Sequence, residues 1–417
     1  MQSGQRQLSE EMTMRKSSLP TIVGCLCVQL CMGVVYLWSA FKASAMEFYG
    51  WADGPANMVT SFMMMGFCVG SMTGGAIQDA IGPRKVSMIG CVLFGGGIFA
   101  ASCIPAGGSV VLFYFSYCVV GGLGSGFVYG SAISCLQKWM PHRRGLAAGL
   151  AASAFGLSTV VFSPLVTWML GRMDISGVLR VLAVAFFLVG MAACVFIRLP
   201  DQADYAAVQS VPEDDGSRNL SQALRTFPYW CLVAGMFFFN GTWSMINPLI
   251  KGLGMERGLS EAAAVLTLSL TGVTNALGRL TMAALSDRIG RIPTINILAV
   301  VTTVAALLLV FVGGPVYSIA VLISAFAYGG PAAVYPALTS DLYGPKYSGA
   351  NYGFIMLALG ASFVVFNVLS NILYEYSGAY VLTFLVGAVS AVIAIVTMLM
   401  LRHQIKTGKL AEARPKH

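Results

Sequence analysis

Charged side chains are scarce in this chain. Asp, Glu, Lys and Arg together make up 10% of the 417 residues, whereas hydrophobic residues make up 57%. Because a soluble globular domain carries about 25% charged residues, this composition excludes a water-soluble globule. It indicates a helical protein that crosses a membrane many times.

Other absences exclude whole classes of function. Only three histidines occur, His142, His403 and His417, and all lie outside the apolar segments. No serine or cysteine in those segments therefore has a base to activate it, so we predict that the protein is not an enzyme. The chain lacks a Gly-x4-Gly-Lys-Ser/Thr loop, which argues against ATP-driven transport. The ten cysteines show no metal-ligand spacing and read as small buried hydrophobes, so we predict no metal and no cofactor.

Twelve apolar segments are long enough to cross a bilayer, which takes about 20 residues. They lie at 21–46, 57–80, 86–104, 110–136, 145–170, 178–197, 228–250, 261–285, 293–313, 317–339, 349–374 and 379–401. We predict an all-α polytopic membrane protein whose twelve transmembrane helices form two pseudo-symmetric six-helix bundles. The predicted order is a tail at 1–19, a bundle at 20–197, a polar linker at 198–227, a bundle at 228–401 and a tail at 402–417.

The basic residues predict the orientation. Nineteen of the 25 Lys and Arg residues fall on the side of both termini and only five on the other side. Positive charge accumulates in cytoplasmic loops, so we predict cytoplasmic termini and a location in the inner or plasma membrane. The net charge of +8 is spread over short loops, which argues against a nucleic-acid partner. We expect the protein to function as a monomer in contact with the lipid bilayer.

One charge lies deep inside an apolar segment. Arg279 is the only charged residue between Glu261 and Asp287. A guanidinium at mid-depth costs at least roughly 2.5 kcal/mol, so something must offset that cost. Pairing with a buried carboxylate or reaching an interface are structural alternatives. The functional interpretation is a counter-charge for an anion that passes through the protein.

The two halves carry a repeated loop. Gly75-Ala-Ile-Gln-Asp79-Ala-Ile-Gly82-Pro-Arg84-Lys85 follows the second segment, and Ala283-Ala-Leu-Ser-Asp287-Arg288-Ile-Gly290-Arg291 follows the eighth. Both resemble the signature loop of the major facilitator superfamily. An Asp at a helix end can pair with Arg or with a neighbouring helix N-terminus. We therefore predict a cytoplasmic latch formed by Asp79, Arg84, Asp287, Arg288 and Arg291.

Further motifs resemble a particular branch of that superfamily. They are Tyr36-x-Trp38-Ser39, Phe48-Tyr-Gly50-Trp51, Val128-Tyr129-Gly130, Pro141-x-Arg143-Arg144-Gly145, Arg279 before Ser286-Asp287-Arg288-Ile-Gly290-Arg291, and Asn351-Tyr352-Gly353-Phe354. Together they are similar to the oxalate:formate antiporter family and the related monocarboxylate transporters. The resemblance implies that Arg279 grips a substrate carboxylate, with Tyr36, Tyr129 and the tenth-helix aromatic Tyr328 around it.

Departures from that pattern guide the expected substrate. The oxalate transporter has a second cation on the eleventh helix, where this chain has Leu359. One cation suits a monoanion, and Leu359 with Phe363 and Phe155 suits a short apolar tail. Asn275, one turn before Arg279, is expected to orient the guanidinium or accept a substrate hydroxyl. Lys42 resembles a lysine used for coupling, although a snorkelling role at the helix end is an alternative.

These residues predict a secondary transporter of small monocarboxylates of the lactate, pyruvate, formate or acetate class. We expect proton coupling, although the segments place no carboxylate at mid-depth and uncoupled exchange needs none. An oxalate:formate-type antiporter that uses Lys42 as its second cation is the alternative within this class. A membrane carboxylate sensor is the alternative from another class, although the linker and tail are too short to hold a signalling domain.

Overall fold

The computed structural model describes residues 18–140, 143–200 and 216–407. Within these residues the chain forms twelve long helices, named α1 to α12 in chain order. α1 comprises Ser18–Leu37 and continues as Trp38–Tyr49. The others are α2 Asp53–Ile81, α3 Pro83–Ser102, α4 Val110–Trp139, α5 Arg144–Leu170, α6 Ile175–Cys194, α7 Phe227–Ile246, α8 Glu261–Ile289, α9 Arg291–Phe311, α10 Gly314–Tyr343, α11 Ser348–Ser377 and α12 Val381–Lys406.

Every predicted segment coincides with one of these helices, so the helix count and fold class are confirmed. Most helix ends differ from the apolar windows by two to five residues, and the helices with windows at 86–104, 178–197, 228–250 and 293–313 end before those windows do. An apolar window marks hydrocarbon depth and not the last helical hydrogen bond. The linker contains a short helix, Leu220–Leu224, closed at its start by a capping box between Asn219 and Gln222. Residues 1–17, 201–215 and 408–417 of the predicted tails and linker lie outside the described residues.

The internal repeat extends to the backbone torsions. Gly82 joins α2 to α3 with φ 88° and ψ 158°, and Gly290 joins α8 to α9 with φ 96° and ψ 156°. This region of torsion space is essentially restricted to glycine. A single glycine therefore turns the chain between two helices at equivalent places in the two halves.

The two halves meet mainly along two helix pairs, α2 with α11 and α5 with α8. Glycines allow close backbone approach: a methyl group on Gly75 would lie 2.1 Å from the carbonyl oxygen of Gly349. A methyl group on Gly149 would lie 2.6 Å from the Ala283 side chain. Small residues at such crossings are typical of membrane helix packing. We call the end of the bundle that carries Asp79 and Asp287 the inner end.

Ten of the described helices are long and apolar enough to cross a membrane by length and composition. The two long helices outside that set are α7 and α8. These are the helices that contain Asn240 and Arg279.

Candidate functional site

A small cavity lies between the two halves. Its lining comes from α1, α2 and α4 on one side and from α7, α8, α10 and α11 on the other. The lining residues are Tyr36, Phe67, Tyr129, Met236, Asn240, Arg279, Tyr328, Ala332, Met356 and Leu359. The volume of the cavity is about 10 Å³, which is enough for about one water molecule. The cavity is therefore small in this conformation.

Arg279 supplies the positive charge of this cavity. Its side chain is buried, with 2% relative exposure. Nη1 donates to the backbone carbonyl of Ala152 at 2.8 Å, and Nη2 donates to the hydroxyl of Tyr36 at 3.3 Å. Nε is buried and has no hydrogen-bond partner. The Nε–Nη2 edge of the guanidinium thus has fewer hydrogen-bond partners than its donors can serve.

Neither structural alternative for Arg279 holds in the described part of the chain. The residue does not reach an interface, since it is buried between α5 of the first half and α10 of the second. No described carboxylate lies within ion-pair distance of it. Its contacts are neutral oxygens and the face of Tyr36, whose ring centroid lies 6.0 Å from the guanidinium carbon. The buried charge is therefore solvated by dipoles but not neutralised.

Aromatic rings form the first-half wall of the cavity. Phe67 and Tyr129 meet edge to face with their centroids 5.0 Å apart. Phe155 packs edge to face against Tyr36 at 5.6 Å and against Tyr129 at 5.1 Å. Phe155 thus lies behind the lining rings and fixes their positions. The expectation that Phe155 contacts a substrate tail does not match this placement.

The second-half wall is built around Tyr328. Its ring stacks on Trp243 with centroids 5.2 Å apart, and Phe363 lies 6.3 Å from it on another side. Leu359 faces the cavity, whereas Phe363 is a supporting residue. The phenol of Tyr328 also lies next to that of Tyr36 across the two halves. Tyr36, Tyr129, Tyr328 and Leu359 are therefore the predicted residues that the structure brings to the cavity with Arg279.

A proline in α10 exposes a carbonyl at the same place. Pro336 has no N–H, so the carbonyl of Ala332 four residues earlier loses its helical partner. The hydroxyl of Tyr352 donates to that carbonyl at 3.3 Å, and Ala332 lines the cavity. Tyr352 in turn lies beside Tyr129. Pro336 therefore leaves a backbone carbonyl available in the cavity wall, as in other membrane helices interrupted by proline.

Two predicted residues lie elsewhere. Asn275 donates to the carbonyl of Ala325 at 3.4 Å, and it contributes nothing to the hydrogen bonds of the guanidinium. In this conformation its amide nitrogen is turned toward α10, and its expected role of orienting the guanidinium or accepting a substrate hydroxyl stays a prediction. Lys42 lies on the outer part of α1, in Trp38–Tyr49, and does not line the cavity.

Asn240 is the main residue that the sequence reasoning missed. It lies on α7, 2% exposed, and lines the cavity opposite the first-half aromatics. The signal was present, since Asn240 interrupts the apolar run Phe237-Phe-Phe-Asn-Gly. Phe67, Met236 and Met356 were also missed, because nothing in an apolar residue's identity separates a lining position from a packing position.

The repeated aspartates contact the opposite half. Asp287 of α8 accepts from the backbone N–H groups of Gly145 at 3.1 Å and Leu146 at 2.9 Å, at the start of α5. Asp79 of α2 accepts from the N–H of Ala350 at 3.1 Å, at the start of α11. Each carboxylate thus sits at the positive end of a helix dipole from the other half.

Basic residues lie beside both aspartates, and Lys138 Nζ is 3.9 Å from Asp79 within the first half. Arg291 pairs with Asp287 and also donates to Asp341 at 3.0 Å, while Arg144 of the first half reaches Asp341 at 3.3 Å. Arg84 instead donates to the carbonyl of Ile197 within its own half at 2.9 Å, and Arg288 is exposed. In this conformation Arg84 and Arg288 therefore add nothing to the contact between halves, whereas Asp341 does.

Two helical halves around a buried cationic cavity, with ion pairs and carboxylate–helix contacts between them at the inner end, define a membrane transporter of the alternating-access type. The chain belongs to the Major Facilitator Superfamily, whose sequence profile matches residues 23–355 and 232–417. It is a multi-pass membrane carrier and not an enzyme.

Curated relatives cover most of the chain. The oxalate:formate antiporter of Oxalobacter formigenes is 31% identical over 348 residues, which cover 79% of this chain and 78% of the relative. An uncharacterized transporter of the same superfamily from Escherichia coli K12 is 28% identical, covering 82% of this chain and 84% of the relative. Apicoplast pyruvate carrier 1 of Toxoplasma gondii is 22% identical over 93% of this chain and 89% of its own length.

Solved structures agree on the fold. The proton:xylose symporter XylE aligns with a TM-score of 0.73 at 15% identity, covering 94% of this chain and 96% of XylE. FucP in its outward conformation aligns with a TM-score of 0.71 at 15% identity, covering 92% of this chain and 99% of FucP. At this identity the likeness concerns the fold alone.

Proposed function

We propose that the protein is a secondary transporter of small monocarboxylates of the lactate, pyruvate, formate or acetate class, with Arg279 as the carboxylate-binding residue. The observation that carries this proposal is a buried guanidinium that lines a cavity between the halves, has no described carboxylate partner and has an Nε without a hydrogen bond. A buried cation without a counter-charge is costly, so an anionic ligand is the group that best completes the site.

The substrate carboxylate binds side-on to the Nε–Nη2 edge. Nη1 stays on the Ala152 carbonyl at 2.8 Å, which holds the plane of the guanidinium fixed. A carboxylate on the other edge then forms two parallel charge-assisted hydrogen bonds. The hydroxyl of Tyr36, now 3.3 Å from Nη2, moves aside or shares its hydrogen bond with the substrate.

The lining supports a monoanion with a short tail. Arg279 is the one cation among the described residues that line the cavity, and no lining residue is acidic. Leu359, Met356 and Met236 offer apolar surface to a methyl or methylene group. A second carboxylate would be desolvated there without a counter-charge, which disfavours a dianion.

The repeated aspartates act as the latch of the transport cycle. Asp79 and Asp287 hold the start of α11 and of α5 from the opposite half. Opening the inner end breaks these contacts together with the ion pairs at Asp341. We place the inner end in the cytoplasm of the cell, in line with the basic loops, and we take the working unit to be a monomer in the inner or plasma membrane.

Proton coupling is part of this proposal, and the proton travels with the substrate or through a group outside the cavity such as Lys42. Carboxylate exchange is the alternative. It is favoured by the lack of an acidic residue in the described lining and by the 31% identical relative, which is an oxalate:formate antiporter.

The test is uptake of labelled lactate and labelled oxalate into proteoliposomes, with and without an inward proton gradient. Wild type is compared with Arg279→Gln and with Arg402→Gln, an exposed arginine near the end of α12 that serves as the control. We expect gradient-driven lactate uptake that Arg279→Gln abolishes and Arg402→Gln retains. Full lactate uptake by Arg279→Gln would refute the site. Oxalate uptake that needs internal formate and ignores the gradient would establish the exchanger instead.

A further inference from the structure

The side-chain amide of Asn240 has a defined orientation. Its Nδ2 donates to the carbonyl of Met236, one helical turn earlier on α7, at 2.6 Å. A carbonyl oxygen needs a donor, so the atom beside it is the amide nitrogen and not the amide oxygen. Oδ1 of Asn240 therefore points away from Met236.

This oxygen has no partner within the described protein. No described donor bonds to Oδ1, and it is also absent from the set of fully buried polar atoms that lack a hydrogen bond. The atom consequently retains some accessible surface although Asn240 is only 2% exposed. The cavity that Asn240 lines supplies that surface.

Asn240 Oδ1 is also chemically distinct from the other polar groups of the cavity. Arg279 can only donate, and the phenols of Tyr36, Tyr129 and Tyr328 can donate or accept. The carbonyl of Ala332, which has no helical partner because of Pro336, already accepts a hydrogen bond from Tyr352. Among the described lining groups, Asn240 Oδ1 is thus the one acceptor that is both unoccupied and unable to donate.

Building on the proposed function, we infer that Asn240 is a specificity-determining residue that accepts a hydrogen bond from the 2-hydroxyl group of a short 2-hydroxy monocarboxylate while Arg279 holds the carboxylate. The two groups line one small cavity, so a short ligand that carries a carboxylate and a hydrogen-bond donor close together can engage both. A 2-hydroxy acid has its donor on the carbon next to the carboxylate. The 2-oxo oxygen of a 2-oxo acid is an acceptor and cannot form a hydrogen bond with Asn240 Oδ1. An acid without a substituent at the second carbon would leave Oδ1 without a partner.

The experiment compares three-carbon acids that differ only at the second carbon. Uptake of lactate, pyruvate and propionate is measured in proteoliposomes for wild type and Asn240→Leu, which has a similar volume and no acceptor. Asn367→Leu, the same change on α11 away from the cavity, is the matched control. Purified variants are first compared by size-exclusion profile to establish that they fold.

We expect wild type to favour lactate over propionate and pyruvate by roughly tenfold in kcat/KM, the scale of one hydrogen bond. Asn240→Leu should bring the lactate-to-propionate ratio close to one, and Asn367→Leu should keep the wild-type ratio. A wild type without lactate preference, or a preference that survives in Asn240→Leu, would overturn the inference while leaving monocarboxylate transport intact. Absence of uptake for all three acids would instead refute the proposed function.

Discussion

Tyr36 and Arg279 join the two halves of the protein across the cavity. Tyr36 belongs to α1 of the first half and Arg279 to α8 of the second, and the phenol oxygen lies 3.3 Å from Nη2. With the Ala152 carbonyl, also from the first half, the guanidinium is held by neutral oxygens on one side of the interface. On the proposed function, a substrate carboxylate would supply the negative charge that this contact between the halves lacks.

Replacing Tyr36 with Phe should weaken substrate binding. The change removes the hydroxyl and keeps the ring that packs on Phe155. We expect a KM for the carboxylate that is higher by roughly three- to tenfold. Tyr114→Phe is the control, because that hydroxyl bonds to the Pro55 carbonyl outside the cavity. An unchanged KM in Tyr36→Phe would show that the Tyr36 hydroxyl forms no hydrogen bond with the substrate.

Replacing Arg279 with Lys should fail to preserve transport. Lysine keeps the charge but cannot bond to Ala152 and offer two parallel donors to a carboxylate at the same time. We expect a loss of roughly 10- to 100-fold in kcat/KM for lactate, the range for a hydrogen bond to a charged group. Uptake kinetics measure it. Near-wild-type uptake would mean that charge alone is sufficient and that the side-on geometry is incorrect.

Replacing Leu359 with Lys should change which anion is carried. A second cation would then line the cavity with Arg279, so a dianion could be neutralised at both ends. We expect competition by oxalate against labelled lactate to strengthen relative to wild type, together with slower lactate uptake. If oxalate competes equally well before and after the change, Leu359 does not set the charge of the substrate.

Replacing Gly82 with Ala should destabilise the fold through the backbone alone. Nothing lies within 4 Å of a methyl group built on Gly82, but its φ is +88°. We expect a loss of about 1–3 kcal/mol, seen as a lower melting temperature in detergent. Gly96→Ala provides the comparison, since that glycine also has open space but lies inside α3. Equal melting temperatures for the two variants would contradict the strain argument.

Replacing Asp287 with Asn should loosen the inner end. The amide has one acceptor oxygen, so it keeps only one of the two hydrogen bonds from Gly145 and Leu146, which bond to different carboxylate oxygens of Asp287. It also loses the charge that faces the start of α5 and Arg291, and each loss weakens the contact by about 1 kcal/mol. We expect the distance between spin labels at Lys85→Cys and Arg288→Cys to shift toward longer values. The labels need Cys27 and Cys103, the exposed native cysteines, replaced.

Asp174→Asn is the control for the latch, because Asp174 caps α6 within its own half by accepting from Gly177 at 2.7 Å. That variant should leave the distance distribution unchanged. A distribution equally unchanged in Asp287→Asn would mean that the aspartate does not bias the conformation.

Most of the fold could be predicted from the sequence. Long apolar windows gave the twelve helices, because a helix is the structure in which a lone segment satisfies its own backbone in lipid. The spacing of the two signature loops gave the two-fold repeat that the torsions of Gly82 and Gly290 display. Arg279 could be identified as the central residue, because a lone charge at that depth has no structural explanation within its own helix.

The composition of the site was less accessible. Asn275 and Asn240 are both single amides in transmembrane helices, yet one bonds to Ala325 and the other lines the cavity. Their difference depends on how α8 and α7 are rotated against their neighbours, which periodicity does not determine. Phe155 and Phe363 were expected beside the substrate tail but pack behind the lining residues, and helix rotation is again the reason.

The sequence by itself determined the membrane-spanning class, the repeat, the family resemblance and the buried charge, because each depends on local composition or on the cost of a group in lipid. Only the tertiary structure decided which edge of the Arg279 guanidinium is free, which amide points into the cavity and which aspartate meets which helix. Those features arise between helices far apart in the chain, where side-chain rotamers and helix rotation are set by packing across the interface between the two halves.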